Sequence, residues 1–424
     1  MTLATQVAAA DRTYTEAVVR GDYDLYVGNL FGKYDNVRIY WEDQLTRFAL
    51  RPHIAALVAA RRKQARKVRI VDLGCGAGQG FDVLTKINKR DLDLSLHQDR
   101  VLPPQDVGLY LGLDLSHAMV DKGNELFAAA PNIRFGQADL RDGLAAIEDD
   151  EPPFDIYFSS YGSFSHLSTT HLKSLLRDIH AHGRDGSLVV LDLLGRNSVE
   201  WPCYWTADTP DYDGFHDYSM SYLAQEFGLD SDVDFFPMRF WTGEEIDRLV
   251  EDLEEDAGAR FQVAAKFDRS IMVGRHVDTC EYNDALRPIR RQVNRLHEDY
   301  MRTDLQELII ERRAFPTHPD PAVNRFFDAL VRDWNTLVKF CEQRFQRNIA
   351  TVELEGWSEY SAPLQFAMMT MDRVINDTGW MWNGDPRANI IEPQLGYALR
   401  SLEASLQQGL GCGHGLLVIM RIEK

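Results

Sequence analysis

The sequence is short of cysteine. Its five cysteines (Cys75, Cys203, Cys280, Cys341, Cys412) are odd in number, widely spaced and form no CxxC pair. A disulfide framework and a zinc ribbon are therefore not expected, and neither is any other metal site; Cys412-Gly413-His414 lacks the partners and spacing of one. No run of about 18 apolar residues occurs, so no membrane-spanning helix is expected. The opening MTLATQVAAADR has no basic region ahead of an apolar one and does not read as a secretory signal. Positive charge is also in deficit: 46 Lys+Arg stand against 65 Asp+Glu, a formal net charge of −19. Docking on nucleic-acid phosphates by bulk charge is disfavoured. The default expectation is a cytoplasmic protein without a membrane or nucleic-acid partner. Repeats and low-complexity segments are missing too.

What is present is a large, ordinary globular composition. The 424 residues are 45% hydrophobic and 26% charged, enough for one large domain or two to three smaller ones. The first 67 residues read as mostly helical, with aromatics (Tyr23, Tyr26, Tyr34, Tyr40, Trp41) between two alanine-rich stretches. From residue 68 strand and helix alternate. VRIVDLG, VGLYLGLDLS, IRFGQADL, FDIYFSSYG and SLVVLDLLG read as strands, separated by helical segments such as HAMVDKGNELFAAA. That alternation predicts an α/β fold, a doubly wound parallel sheet with helices on both faces. Residues 197–240 are aromatic and turn-rich, an irregular excursion at the edge of the sheet. WTGEEIDRLVEDLEE carries a capping box, Thr242 with Glu245. The spacing predicts helices over 285–313 and 322–345, and GLLVIMRIEK predicts a last strand returning to the sheet.

The chemistry-bearing segment is Asp72-Leu73-Gly74-Cys75-Gly76-Ala77-Gly78, ending the first strand. Alternating glycines allow a tight turn and close backbone approach to a ligand, and the next helix points its N–H groups there. The dinucleotide pattern GxGxxG fails: the required third glycine is Gln79 counted from Gly74 and Phe81 counted from Gly76. The spacing acid-x-Gly-x-Gly-x-Gly instead resembles motif I of the class I S-adenosylmethionine (SAM)-dependent methyltransferases. The resemblance extends in order through LGLDLS, QADLRD and FDIYFSSYGSFSHL, about residues 68–195.

The resemblance implies a seven-stranded Rossmann-like sheet with an antiparallel edge strand. It implies SAM as cofactor, held by Asp72, Gly74, Cys75, Gly76, Gly78, Asp114, Leu115, Met119, Asp139, Leu140 and Ser159. Asp114 would accept the ribose hydroxyls, Met119 pack on the adenine and Asp139 take its amino group. Cys75 reads as a small loop residue rather than a nucleophile. His166 lies where the family's acceptor site begins and is the candidate base; the alternative is that it caps or packs the next helix. In the N-terminal segment, Tyr34 and Arg47 are candidates for the cofactor, and Tyr40 and Trp41 for the acceptor. The alternative is an apolar clamp holding this segment to the core. Trp201, Trp205, Trp380, Trp382 and His276 either line an acceptor pocket or pack the core. The expected organisation is a helical lid over 1–67, a core over 68–276 with 413–424, and a helical insertion over 277–412 for substrate or dimer contacts. The expected function is methyl transfer to a small organic acceptor, in a biosynthetic setting. The rivals are a non-catalytic SAM-binding or interaction protein and an NAD(P)-dependent oxidoreductase. The sequence does not decide between a monomer and a homo-oligomer.

Overall fold

The computed structural model describes residues 3–19, 21, 35–92, 94–205, 214–219, 235–275, 278–347, 357–381 and 384–424. Strand β1 (Val68–Leu73) pairs in parallel with β2 (Val107–Asp114) and β4 (Ile156–Phe158). β2 pairs with β3 (Ile133–Gln137), and β4 with β5 (Leu188–Gly195), again in parallel. β9 (Gly415–Glu423) lies antiparallel between β5 and β8 (Arg260–Arg269). The main sheet thus runs β3-β2-β1-β4-β5-β9-β8, a doubly wound Rossmann-like order. The α/β expectation is borne out.

Two details differ from the expectation. The described sheet has nine strands rather than seven. The extra pair is a hairpin, β6 (Phe215–Ser219) and β7 (Phe235–Trp241), in the segment expected to be irregular. Its period-2 signal is short: Phe236, Met238 and Phe240 are buried while Phe235 is exposed. Second, β9 is interior, and β8 takes the edge. The unbroken apolar run GLLVIM carries that information, since a strand covered on both faces has no polar side.

Helices α2 (Asp43–Lys63) and α3 (Gln79–Thr85) cover one face, where Leu50, Ile54, Phe81 and Leu84 meet Ile70, Phe158 and Val190. Helices α5 (Thr169–His182) and α6 (Gly243–Ala257) cover the other. There Leu175, Ile179, Ile246 and Leu253 meet Val71, Val189 and Val418. The alternation of Ile70 and Val71 between faces is the strand pleat at work. The capping box on α6 is present, with both the Thr242 and Glu245 bonds formed. Helix α4 (His117–Leu126) packs on β2 and β3, and α1 (Leu3–Val19) lies across α4 and β7.

Between β8 and β9 the chain builds a separate helical layer: α7 (Ile289–Arg295), α8 (Pro321–Arg347), α9 (Ala362–Asp377) and α10 (Glu392–Leu406). Its apolar core also takes in Val37, Trp41 and Leu45 from the N-terminal segment. The helical pattern over 285–313 is realised only as α7 and short 3₁₀ turns. Tyr300 adopts a left-handed φ of 62°, and Asp304 accepts from the Gln306 amide to start a new turn. A buried ion cluster joins this layer to the rest. Arg290 bonds Asp35 and Glu42, each at 2.8 Å. Burial alone would raise the Glu42 pKa, but Arg290 and Arg38 override it and hold it near about 2. No described helix is long and apolar enough to cross a membrane.

Candidate functional site

The carboxyl ends of β1 to β5 surround a cavity of about 260 Å³. That is where doubly wound sheets bind ligands. Its floor is the turn after β1. Gly74 and Cys75 donate to the Leu113 carbonyl at 2.8 and 3.1 Å, carrying the chain across β2. The Gly76 amide donates to Asp114 Oδ2 at 2.8 Å, and the Ser116 amide to Oδ1 at 2.9 Å. Each oxygen keeps a second lone pair for a ligand. Burial raises the pKa of Asp114, with these two amides opposing.

The turn's glycines are needed for a different reason than expected. Gly74 has φ 76°, and a Cβ there would meet Ser163 Cβ at 2.5 Å. Gly78 has φ 93°, and a Cβ would meet Phe135 Cζ at 2.7 Å. At both positions the glycine makes room for the protein's own side chains, and Gly78 does not line the cavity.

Of the residues expected at the cofactor, the cavity brings together Gly74, Cys75, Gly76, Asp114, Leu115, Met119, Asp139 and Leu140. Leu115 is partly exposed on the wall, and Met119 is buried behind it. Asp139 is engaged by Arg141, whose Nε lies 2.9 Å from Oδ1. Hydrogen bonds from Arg141 lower its pKa. The Cys75 thiol pKa is pushed up by burial and by Asp114, the opposite of nucleophile activation.

Several expected residues lie elsewhere. Asp72 is fully buried beneath the turn, where it accepts from the Tyr110 hydroxyl and blocks any Cβ at Gly80. Burial lifts its pKa to about 7. Ser159 is buried in the sheet, and the next residue, Ser160, lines the cavity instead. Arg47 lies in a separate groove with Tyr40, 3.6 Å from Asp43. The Tyr40 ring stacks on His297, and Trp41 is buried, donating to Glu403 at 3.1 Å. Trp201 and Trp205 are buried in packing and donate to the Gly195 and Ser198 carbonyls. Trp380 is exposed. Tyr34, His276 and Trp382 lie outside the described residues. No described residue from 277–412 lines the cavity.

The opposite wall is aromatic and comes largely from residues the sequence did not mark. His166 lines it, half-buried, with Nε2 3.2 Å from the Tyr14 hydroxyl and its ring stacked on Phe236. Burial lowers its pKa to about 4, so the ring is neutral near pH 7. Tyr218 also lines the cavity, and its hydroxyl lies 3.4 Å from His414 Nε2. His414 Nδ1 is 2.8 Å from Glu200, and both are fully buried. Glu200, His414 and Tyr218 thus form a buried chain ending at the cavity. Tyr14, Tyr161, Phe236, Met238, Arg38 and Arg275 complete the wall. The one sequence cue for Arg275 and Tyr161 was their place just after strands β8 and β4.

A family model described as a methyltransferase domain matches residues 102–186. No curated protein matches the chain. Among solved structures, a SAM-dependent methyltransferase from Clostridium acetobutylicum is 13% identical. It covers 51% of this chain and 83% of its own, with a TM-score of 0.31. One from Methanosarcina mazei is 13% identical over 49% and 85%, TM-score 0.34. A SAM-bound amino pentose methyltransferase from Micromonospora echinaspora is 14% identical over 51% and 85%, TM-score 0.29.

Residues 102–186 match a methyltransferase domain, and the sheet order and glycine turn around them are those of a Rossmann-like methyltransferase fold. The protein is an enzyme, and its cofactor is S-adenosylmethionine. The residues present fit that cofactor. Asp114 lines the cavity with acceptor capacity beyond its backbone amides, Ser116 Oγ beside it is buried without a partner, and Leu115, Met119 and Leu140 give an apolar flank.

Proposed function

We propose that the enzyme methylates a small, partly apolar organic acceptor. The observation that carries this reading is a single cavity whose one wall is Asp114 with the glycine turn and whose other wall is Tyr14, His166, Tyr218, Phe236 and Met238. Asp114 would hold the ribose, and Leu115, Met119 and Leu140 would flank the base. The bound donor supplies an activated methyl group. The chain's own contribution is to position the acceptor, exclude water and receive a proton. Helix α1 and the turn before α2 cover the cavity through Tyr14 and Arg38, whereas α2 packs on the sheet.

Two groups serve as proton acceptors. His166 is neutral near pH 7 and hydrogen-bonded to Tyr14. Tyr218 is the second: burial raises its own pKa, so it acts by relaying a proton rather than as a free base. Glu200 holds His414 with its proton on Nδ1, which leaves Nε2 to take a proton from the Tyr218 hydroxyl. The test incubates the enzyme with methyl-labelled donor and a small-molecule extract, then with RNA and protein pools. Label confined to small molecules is expected, with a large loss of turnover but retained donor binding in Tyr218→Phe. Label confined to the macromolecular pools would refute the reading.

A further inference from the structure

Most arginines around the cavity floor are matched by an acid. Arg38 bonds Asp43 at 2.8 Å, Arg269 bonds Asp192 at 2.9 Å, and Arg141 bonds Asp139. Arg275 is different. It lines the cavity, it is 8% exposed, and its Nε has no hydrogen-bond partner. No carboxylate among the described residues pairs with it. Its guanidinium sits 4.9 Å from the centroid of the Tyr161 ring. That ring is itself fixed: Tyr161 adopts a left-handed φ of 59°, its amide donates to Asp192 at 2.7 Å and its hydroxyl to Asp43 at 3.2 Å. Stacking on an aromatic face holds the cation and leaves its N–H edges for a ligand. Arg275 feels the Glu42 carboxylate only at a distance; a buried guanidinium without a direct ion pair is costly, and an anion arriving in the cavity lowers that cost.

We propose that Arg275 receives a carboxylate of the acceptor, so that the substrate is an apolar organic acid. This rests on the methyltransferase reading above. The flat, forked guanidinium suits a carboxylate. The neighbouring wall, Leu194, Tyr218, Phe236 and Met238, suits an apolar body. The donor carries a carboxylate too, at its amino-acid end. The acceptor is the source favoured by position. Asp114 ends β2 and Asp139 follows β3, whereas Arg275 follows β8 at the far side of the sheet. Tyr161 and Gly162, just after β4, lie between.

The experiment uses the full chain and calorimetric titration. S-adenosylhomocysteine and methylthioadenosine are titrated into wild type, Arg275→Gln and Arg275→Lys; the second ligand lacks the amino-acid end. Phenylacetate and phenylacetamide are then titrated into each protein saturated with S-adenosylhomocysteine. Methylthioadenosine binding reports that the variants are folded. The expected result is that wild type prefers the acid over the amide by about tenfold or more and that Arg275→Gln loses the preference. Arg275→Lys keeps part of it, and S-adenosylhomocysteine affinity is unchanged in all three. A selective loss of S-adenosylhomocysteine binding in Arg275→Gln, with methylthioadenosine unaffected, overturns the proposal by giving the site to the donor. No acid preference in the wild type also overturns it. Failure of the wild type to bind either nucleoside would instead sink the cofactor placement.

Discussion

Replacing Asp114 by Asn tests the cofactor placement with little change of shape. In the wild type its two oxygens each accept one backbone amide, from Gly76 and from Ser116. In the proposed placement, the remaining acceptor capacity would meet the ribose hydroxyls. Hydrogen bonds to a charged group contribute about 1.5–3 kcal/mol each. The amide keeps one acceptor oxygen and turns a donor toward the other backbone N–H. Losing the charge and one acceptor should then cost roughly 2–3 kcal/mol of ligand binding, or a 30- to 150-fold rise in Kd. Titration calorimetry with S-adenosylhomocysteine reads that number directly. A thermal melt of the free protein reads the separate cost of the strained turn. If the Kd of Asp114→Asn stayed within about threefold of wild type while the protein was folded, the carboxylate would not meet the ligand. The placement of the nucleoside over β2 would then be wrong.

Asp72→Asn probes the acid beneath the turn. Its folded pKa is about 7 against an ordinary 3.8, so between those values the folded chain holds a proton that the unfolded chain releases. Stability present below pH 3.8 is therefore lost as pH rises through about 7. The variant should gain on wild type by up to roughly 4 kcal/mol at pH 8 and by little at pH 4 in urea melts; a pH-independent difference would contradict this. Arg290→Met takes its cation from buried Asp35 and leaves Glu42 only the longer contact to Arg38, and should lower stability by about 3–5 kcal/mol, read from the urea midpoint. A midpoint like wild type would mean that the cluster does not join the two layers. His414→Ala leaves the Glu200 carboxylate with only the Ser198 hydroxyl and should destabilise by about 3 kcal/mol in the same assay. An unchanged midpoint would show that the Glu200–His414 contact does not hold the fold.

The parts of the fold legible in the sequence are those that local pattern encodes. Each strand-turn-helix unit from β1 to α5 carries its own apolar run and its own breaker, so Gly74, Asp114 and Asp139 were found at strand ends without tertiary information. The β6–β7 hairpin was missed because only three residues of β7 alternate cleanly. The helix read over 285–313 failed because a left-handed Tyr300 and an Asp304 cap interrupt a pattern that otherwise has the right period. The far wall of the cavity was hidden for another reason. Tyr14, Tyr161, Tyr218, Phe236 and Arg275 come from five segments that meet only in the folded chain. Trp41 and Trp201 read as pocket aromatics by composition, but their indole N–H groups are spent on buried partners. Asp72 shows how position misleads: it sits one turn of backbone from the ligand site, yet faces Tyr110.

The placement of β9 has a consequence for how the molecule assembles. Residues 270–414 separate it from β8, its neighbour in the sheet. Until β9 arrives, β5 and β8 each present an open row of amides and carbonyls, the kind of template that pairs with stray chains. Closing so long a loop is slow in entropic terms. During synthesis the nucleotide-type half is complete well before the strand that joins its two edges has been made. That half-built state is the stage at which the two unpaired edges are exposed.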